Sequence, residues 1–242
     1  MIFSRRIALV LLSATAVLVV PWATRADDKP NTAVKPADRK DKGWVKLHES
    51  FLERAKKGDV DVLFLGDSIT QSWGGAKEVW DKSFGPMKPA NFGIGGDQTQ
   101  HVLWRITEGK ELEGIQPKAV VLMIGTNNMG GHSAEQIAEG VTAIVKELNA
   151  QRPKAKVLLL GIFPRSPKPT DAVRDKIKQT NERIAKLDDG KQVYYLDIGA
   201  KFLDKEGNLP KDIMPDFLHL SKQGYQIWAD AITPKLKELL EK

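Results

Sequence analysis

The chain of 242 residues contains no cysteine. This absence excludes disulfide bonds, thiolate metal sites and a cysteine nucleophile at the same time. A domain of this size buries enough apolar surface to fold without disulfides, so the absence remains compatible with an exported protein.

The sequence also lacks an N-terminal apolar run long enough to span a membrane comfortably. The run at residues 7–20 is shorter than the roughly 20 residues that a transmembrane helix needs. Arg5 and Arg6 precede it and small side chains follow up to Ala26, which predicts a cleaved signal peptide over residues 1–26. An uncleaved anchor is the alternative, and the Sec and twin-arginine routes both stay open. The mature protein is expected in the periplasm or outside the cell, without a stable membrane span.

A strong excess of positive charge is also absent from the mature chain. The formal net charge of +6 falls to +3 without residues 1–26, because that segment carries three arginines and no acidic residue. The remaining lysines alternate with acidic residues, and no basic stripe is interleaved with aromatic side chains. Nucleic acid is therefore not expected as a partner.

The remaining sequence predicts a tether followed by one folded domain. Residues 27–43 are rich in Lys, Asp and Pro and nearly free of large apolar side chains, which predicts a disordered tether. The domain is predicted over residues 44–242 and opens with a helix at residues 44–57. Five short apolar runs follow, at residues 60–65, 90–94, 119–124, 157–160 and 193–196. Residues 99–108, 134–150, 172–187 and 221–240 carry apolar side chains at helical spacing.

Strands alternating with helices predict an α/β fold in which helices cover both faces of a five-stranded parallel sheet. In such three-layer α/β/α domains, ligands bind beyond the carboxyl ends of the strands. Polar clusters follow the first three predicted strands, at residues 66–70, 93–97 and 125–128. These clusters therefore predict one site at that edge of the sheet.

The first cluster places Ser68 in a turn between a strand and a helix. Such a turn exposes the hydroxyl group and leaves the serine N–H at a helix N-terminus, where developing negative charge is stabilised. The glycines of the second cluster allow close approach of the backbone, and the asparagines of the third supply neutral donors. Together the clusters predict a nucleophile with an oxyanion hole.

A serine nucleophile needs a base, and His219 is the strongest candidate among the four histidines. Asp216 precedes it by three residues, a spacing that lets the carboxylate orient the imidazole. A helix-capping aspartate with a surface histidine is the alternative. The other histidines, His48, His101 and His132, are interpreted as packing, surface or loop residues.

The order serine, aspartate, histidine also occurs in α/β-hydrolases, whose nucleophile turn has the pattern Gly-x-Ser-x-Gly. Thr70 stands where the second glycine of that pattern belongs. The α/β-hydrolase fold is therefore disfavoured.

Four blocks of the sequence resemble those of the SGNH (GDSL) hydrolase superfamily: Gly66-Asp67-Ser68, the glycine block ending at Gly96-Asp97, Gly125-Thr126-Asn127 and Asp216-x-x-His219. The resemblance is closest to the catalytic alpha subunits of the intracellular platelet-activating factor acetylhydrolases (IB), and it covers essentially residues 44–240. It implies a flavodoxin-like α/β/α catalytic domain that hydrolyses acyl esters through an acyl-enzyme, with no metal and no organic cofactor.

The resemblance also implies a role for each matching residue. Ser68 is the nucleophile, His219 the general base and Asp216 its partner. The oxyanion hole consists of the N–H groups of Ser68 and Gly96 and the side chain of Asn127.

Further roles are expected for the residues beside these. Gly95 and Asp97 shape the glycine block, and Asp67 forms structural hydrogen bonds. Ile69 and Leu218 flank the catalytic residues in the sequence and are expected to border an acyl pocket that binds substrate.

The expected function is an exported serine esterase that acts on short-chain, acetyl esters of a small molecule or glycan, such as a carbohydrate O-acetylesterase. A lysophospholipase or thioesterase is the alternative among enzymes, and a non-catalytic glycan-binding module is the alternative outside them. Trp73, Trp80 and Trp104 are candidates for a sugar-binding face, although tryptophans at such positions more often fill a core. A homodimer is left open.

Overall fold

The computed structural model describes residues 30–241, which belong almost entirely to one compact unit, Asn31–Lys242. The predicted signal peptide and residues 27–29 of the predicted tether lie outside the described residues. Five parallel strands form a single sheet in the order β2-β1-β3-β4-β5. Their bounds are β1 Val62–Gly66, β2 Pro89–Gly93, β3 Ala119–Met123, β4 Lys156–Leu160 and β5 Val193–Leu196.

Helices cover both faces of this sheet and confirm the predicted three-layer α/β/α architecture. They are α1 Lys42–Lys56, α2 Ser68–Gln71, α3 Lys77–Phe84, α4 Thr99–Ile106, α5 Ala134–Gln151, α6 Ala172–Ile184 and α7 Lys222–Glu241. The sequence pattern predicted no helix between the first two strands, where the short helices α2 and α3 lie. Within the described residues, no helix is both long and apolar enough to cross a membrane.

Alternate side chains of each central strand enter two separate cores. Val62 and Phe64 of β1 pack with α3 and α7, whereas Leu63 and Leu65 pack with α1, α4 and α5. All four side chains are fully buried. This double burial explains why the strands appear in the sequence as continuous apolar runs.

The segment 31–41, which we call the strap, is ordered and packs on the domain. It contains the 3-10 helix Thr32–Val34, in which Ala33 is fully buried. The carbonyl of Ala33 accepts a hydrogen bond from Thr99 Oγ1 at 2.9 Å. The prediction of a disordered tether is therefore wrong for the strap. Its composition was misleading because the strap is held by one small apolar side chain and a set of polar contacts. The prediction had considered only large apolar residues.

Two glycines allow α2 to lie directly against the carboxyl ends of the strands. The register places Gly66 of β1 opposite Gly93 of β2. A Cβ atom at Gly93 would lie 2.2 Å from the backbone nitrogen of Gln71, a distance that no real side chain tolerates. The close approach brings the start of α2, at Ser68, to the sheet edge where the polar clusters converge.

Candidate active site

Three of the predicted site residues form one chain of hydrogen bonds. Ser68 Oγ lies 2.9 Å from His219 Nε2, and His219 Nδ1 lies 2.7 Å from Asp216 Oδ2. The serine comes from the start of α2, whereas the other two residues come from the loop before α7, where His219 lies 151 positions further along the chain. The structure thus brings together Ser68, His219 and Asp216 as the sequence predicted.

The Asp216 carboxylate determines which ring nitrogen of His219 carries the proton. Partial burial raises the pKa of Asp216, but hydrogen bonds from the His219 ring and from the backbone N–H groups of His219 and Leu218 outweigh it, so the pKa lies below its usual value. An ionised carboxylate only accepts hydrogen bonds, so Nδ1 of His219 donates to it. Nε2 is then free to accept the Ser68 proton.

A tight turn produces the three-residue spacing between the acid and the base. Asp216 Oδ1 accepts from the N–H groups of Leu218 at 3.0 Å and His219 at 2.7 Å. Phe217 inside the turn has a φ of 60°, a left-handed conformation that a bulky residue rarely adopts. The same carboxylate therefore folds the turn with one oxygen and binds the imidazole with the other. Strain of this kind is typical of functional sites.

Asp67 shapes the turn from β1 into α2 that presents Ser68. Its Oδ1 accepts from the Ile69 N–H at 2.9 Å, whereas its Oδ2 has no hydrogen-bond partner. Complete burial, aided by the charge of Asp97 and opposed by the Ile69 hydrogen bond, raises the pKa of Asp67 to about 7. A carboxyl group with this pKa is partly protonated at neutral pH.

The glycine block lies beside the serine. A Cβ atom at Gly95 would lie 3.7 Å from the Cβ atom of Ser68. The Gly95 N–H donates to Gln71 Oε1 at 2.7 Å, and Gly96 has a φ of 79°, which a residue without a side chain adopts freely. The Gln71 contact was not anticipated, because a polar residue at the end of a four-residue helix carries no sequence signal of its own.

The two asparagines of the third cluster have different surroundings. Asn128 is fully buried, and its Oδ1 accepts from the Thr99 N–H at 3.0 Å. Asn127 is half-buried, and its Nδ2 donates one hydrogen bond to the carbonyl of Asp97 at 2.9 Å. The second N–H of that amide remains available. The predicted choice of Asn127 as an oxyanion donor is thus compatible with its exposure.

A buried network of charged side chains supports the glycine block from behind. Asp97, Arg105 and Glu111 are all fully buried. Arg105 donates to Asp97 Oδ2 at 2.9 Å and to Glu111 Oε2 at 2.7 Å, while His48 Nδ1 lies 2.7 Å from Glu111 Oε1. Burial alone lowers the pKa of Arg105, but the two carboxylates outweigh it and raise the pKa above its ordinary value.

Sequence reasoning assigned a role only to Asp97 in this network. Arg105 was included in a stretch that resembles the acetylhydrolases, but nothing distinguished it from a surface arginine. Its position among the apolar positions of α4, three residues after Val102, is a signal that could have shown its burial but was not used. His48 was expected to be a packing residue, and it is buried against Glu111.

The expected substrate contact at Ile69 is wrong. Its side chain is 1% exposed and belongs to the core between β1 and α7, because α2 directs it away from the sheet edge. Leu218 is half-buried beside His219, and its role in an acyl pocket stays a prediction. Trp73 fills the core, whereas Trp104 packs against Trp44 and His48, away from the triad.

Hydrogen bonds, and not the shape of the surface, identify the site. A cavity of about 770 Å³ lies between α6 and β5 and includes Tyr195 and Asp197, but none of the three residues of the hydrogen-bonded chain. The side chains of His219 and Asp216 are 40% and 55% exposed. Within the described residues, no group of three or more His, Asp or Glu side chains is arranged to hold a metal ion.

Comparisons with known proteins identify the family of the chain. The GDSL-like Lipase/Acylhydrolase family model matches residues 64–227. Platelet-activating factor acetylhydrolase IB subunit alpha1 of Homo sapiens is 41% identical over 215 residues, which cover 87% of this chain and 91% of that protein. The corresponding subunit alpha2 of Gallus gallus is 39% identical over 221 residues, covering 90% of this chain and 95% of that protein.

Solved structures share the fold at lower identity. A GDSL-like lipase from Bacteroides thetaiotaomicron has a TM-score of 0.63 at 20% identity and covers 81% of this chain and 97% of its own. A catalytic mutant of an acetylxylan esterase from Geobacillus stearothermophilus has a TM-score of 0.56 at 20% identity, covering 74% of this chain and 93% of its own. The resemblance inferred from the four sequence blocks is confirmed, and the chain belongs to the GDSL-like lipase/acylhydrolase family.

Proposed function

We propose that the chain is a serine esterase that hydrolyses short-chain, acetyl esters through Ser68, His219 and Asp216. The observation that carries this proposal is the hydrogen-bonded chain of these three side chains at the carboxyl edge of the sheet. Membership of an acylhydrolase family supports the reaction class. A pocket that only bound glycans would have no need for a serine aligned with a base and a carboxylate.

In the proposed mechanism, His219 Nε2 takes the hydroxyl proton of Ser68 while Oγ attacks the ester carbonyl carbon. The N–H groups of Ser68 and Gly96 and the Asn127 amide stabilise the oxyanion. Collapse of this intermediate breaks the bond to the alcohol, which leaves with the proton from His219. Water then attacks the acyl-enzyme with His219 again as the base, and the acid and the free serine result.

The acetyl preference rests on the relatives. Proteins about 40% identical to this chain are named acetylhydrolases of platelet-activating factor. For the alcohol side of the ester, a carbohydrate is proposed, because an exported enzyme meets acetylated glycans. Export itself is proposed from residues 1–26, which lie outside the described residues. N-terminal sequencing and fractionation of the protein expressed in a bacterial host test it, and an intact N-terminus in the cytosol would contradict it.

A fluorophosphonate probe tests whether the chain is a serine hydrolase. Labelling of Ser68 is expected, together with loss of labelling and of ester hydrolysis in Ser68→Ala. Ser50→Ala is the matched control, because Ser50 is an exposed serine on α1 that bonds to its own helix. An unlabelled, folded wild-type chain would favour the glycan-binding module instead.

The acyl preference is tested separately with nitrophenyl acetate, butyrate and octanoate. We expect kcat/KM to fall as the acyl chain lengthens. Faster turnover of the octanoate would contradict the acetyl proposal and would favour a lysophospholipase. Release of acetate from acetylated xylan, chitin fragments or peptidoglycan then identifies the alcohol.

A further inference from the structure

Arg39, in the strap, reaches the glycine block. Its Nη1 donates to the carbonyl oxygen of Gly95 at 2.7 Å and lies 3.2 Å from Asp97 Oδ1. Its Nε and Nη2 lie 3.1 and 3.0 Å from Asp41 Oδ2. The Arg39 side chain is 27% exposed, and Asp97 is fully buried. The guanidinium is therefore held on both sides, with one edge on the block and the other on Asp41.

Asp41 itself is fixed, because it caps α1. Its Oδ1 accepts from the Trp44 N–H at 3.0 Å. The Trp44 indole N–H in turn donates to Asp97 Oδ1 at 2.8 Å. Arg39 thus belongs to a closed ring of contacts that joins the strap, the start of α1 and the glycine block.

The contact with Gly95 fixes the direction of the next N–H group. In the planar trans peptide between Gly95 and Gly96, the C=O and N–H bonds point in opposite directions. When Arg39 holds the Gly95 carbonyl on one side, the Gly96 N–H points to the other. A cation on the carbonyl also polarises the peptide, which strengthens its N–H as a donor.

The second contact of Arg39 is with Asp97, the residue whose backbone carbonyl binds the other proposed oxyanion donor, Asn127. The Asp97 carboxylate accepts a hydrogen bond from Arg39. The backbone carbonyl of Asp97 accepts another from Asn127 Nδ2 at 2.9 Å. Gln71 holds the N–H of Gly95 at 2.7 Å from the side of α2. The position of the Asp97 residue therefore sets the orientation of the Asn127 amide.

We propose that Arg39 is a positioning residue of the oxyanion hole, which aims and polarises the Gly96 N–H and, through Asp97, orients the Asn127 amide. This inference rests on the proposed esterase function. Arg39 itself does not contact the reacting atoms. Its effect appears when negative charge develops, so it changes kcat and leaves the binding of neutral substrate unchanged.

The kinetic test compares Arg39→Met, Arg39→Lys and Lys40→Met with nitrophenyl acetate. Arg39→Met is expected to lower kcat about 10- to 100-fold, less than deletion of an oxyanion donor, with KM within about twofold of wild type. Arg39→Lys restores part of kcat, because an ammonium reaches one of the two acceptors. Lys40→Met is the matched control, since Lys40 is 84% exposed and pairs with Asp38, and it leaves both constants unchanged.

A second readout needs no activity. The amide resonance of Gly96 reports the hydrogen bond at the Gly95 carbonyl, so it is expected to shift in Arg39→Met and to stay in place in Lys40→Met. Arg39→Lys provides the same comparison if Arg39→Met does not fold. Three results in a folded Arg39 variant would each overturn the proposal: a kcat equal to that of wild type, a change in KM alone, or an unchanged Gly96 resonance. An inactive wild-type chain would remove the proposed function, and the Gly96 resonance would still decide whether Arg39 orients the Gly95–Gly96 peptide.

Discussion

The two halves of the site are held in different ways. The base and its carboxylate occupy one exposed turn, in which the side chains of His219 and Asp216 are 40% and 55% exposed. The donors opposite them are backed by Asp97, Arg105 and Glu111, whose side chains are fully buried. One half depends on a few local hydrogen bonds, and the other depends on a charge network in the core.

The chemistry accounts for this difference. In the proposed mechanism the base exchanges protons with the serine, the leaving alcohol and water, so access to solvent is compatible with its role. Oxyanion donors act best when they are already in place as charge develops, because reorganisation then costs nothing. A buried network is costly to desolvate and rigid once all its members are paired. The comparison predicts that changes in the network reduce stability, whereas changes in the turn reduce activity.

The largest expected loss of stability follows from Arg105→Met. The variant removes the buried cation that pairs with the carboxylates of both Asp97 and Glu111. Their remaining contacts do not replace it, so the free energy of unfolding is expected to fall by about 3–5 kcal/mol. Urea denaturation measures it. Arg183→Met is the control, because Arg183 is exposed on α6 and donates to the carbonyl of Gln179. Equal stability of the two variants would contradict a supporting role for the network.

The next effect, on activity, follows from Asp216→Asn. The amide no longer favours the His219 tautomer that accepts the serine proton, so kcat is expected to fall about 100-fold, less than for a buried triad aspartate. The unfolding midpoint is expected to change little, since the side chain is 55% exposed. Asp212→Asn, an exposed change in the same loop, is the control for both measurements. Wild-type kcat in Asp216→Asn would show that Asp216 does not orient the base.

The same contrast explains what the sequence predicted. The strands were predicted correctly in position, because buried parallel strands produce apolar runs. The hydrogen bond between Asp216 and His219 was predictable from their spacing, because the two residues lie within one turn. The support of the glycine block was not predicted, since the contacts of Glu111 with His48 and of Asp97 with Trp44 join distant parts of the chain through tertiary folding. Arg39 was missed because it lies in a segment whose composition predicted disorder. Ile69 was predicted to contact substrate because it follows Ser68 in the sequence, but adjacency in the sequence does not determine the face of the helix on which a side chain lies.

Asp67 precedes Ser68 in the chain, and its expected effect is a dependence of stability on pH, with no large effect over any single pH unit. Its pKa rises from 3.8 to about 7 on folding, chiefly because of burial. Between about pH 4 and pH 7 the folded chain therefore binds more protons at this group than the unfolded chain, and its contribution to stability falls as the pH rises. The slope approaches about 1 kcal/mol per pH unit.

Asp67→Asn removes this slope because an amide does not titrate. We expect the difference in unfolding free energy between wild type and Asp67→Asn to shift in favour of the variant from pH 4 to pH 7, by urea denaturation at each pH. Asp61→Asn, just before β1, is the control, because Asp61 is partly exposed and pairs with Lys118. A difference that does not change with pH would mean that Asp67 is ionised in both the folded and the unfolded state. Arg165, His219 and the Ile69 N–H would then lower its pKa by as much as burial and the charge of Asp97 raise it.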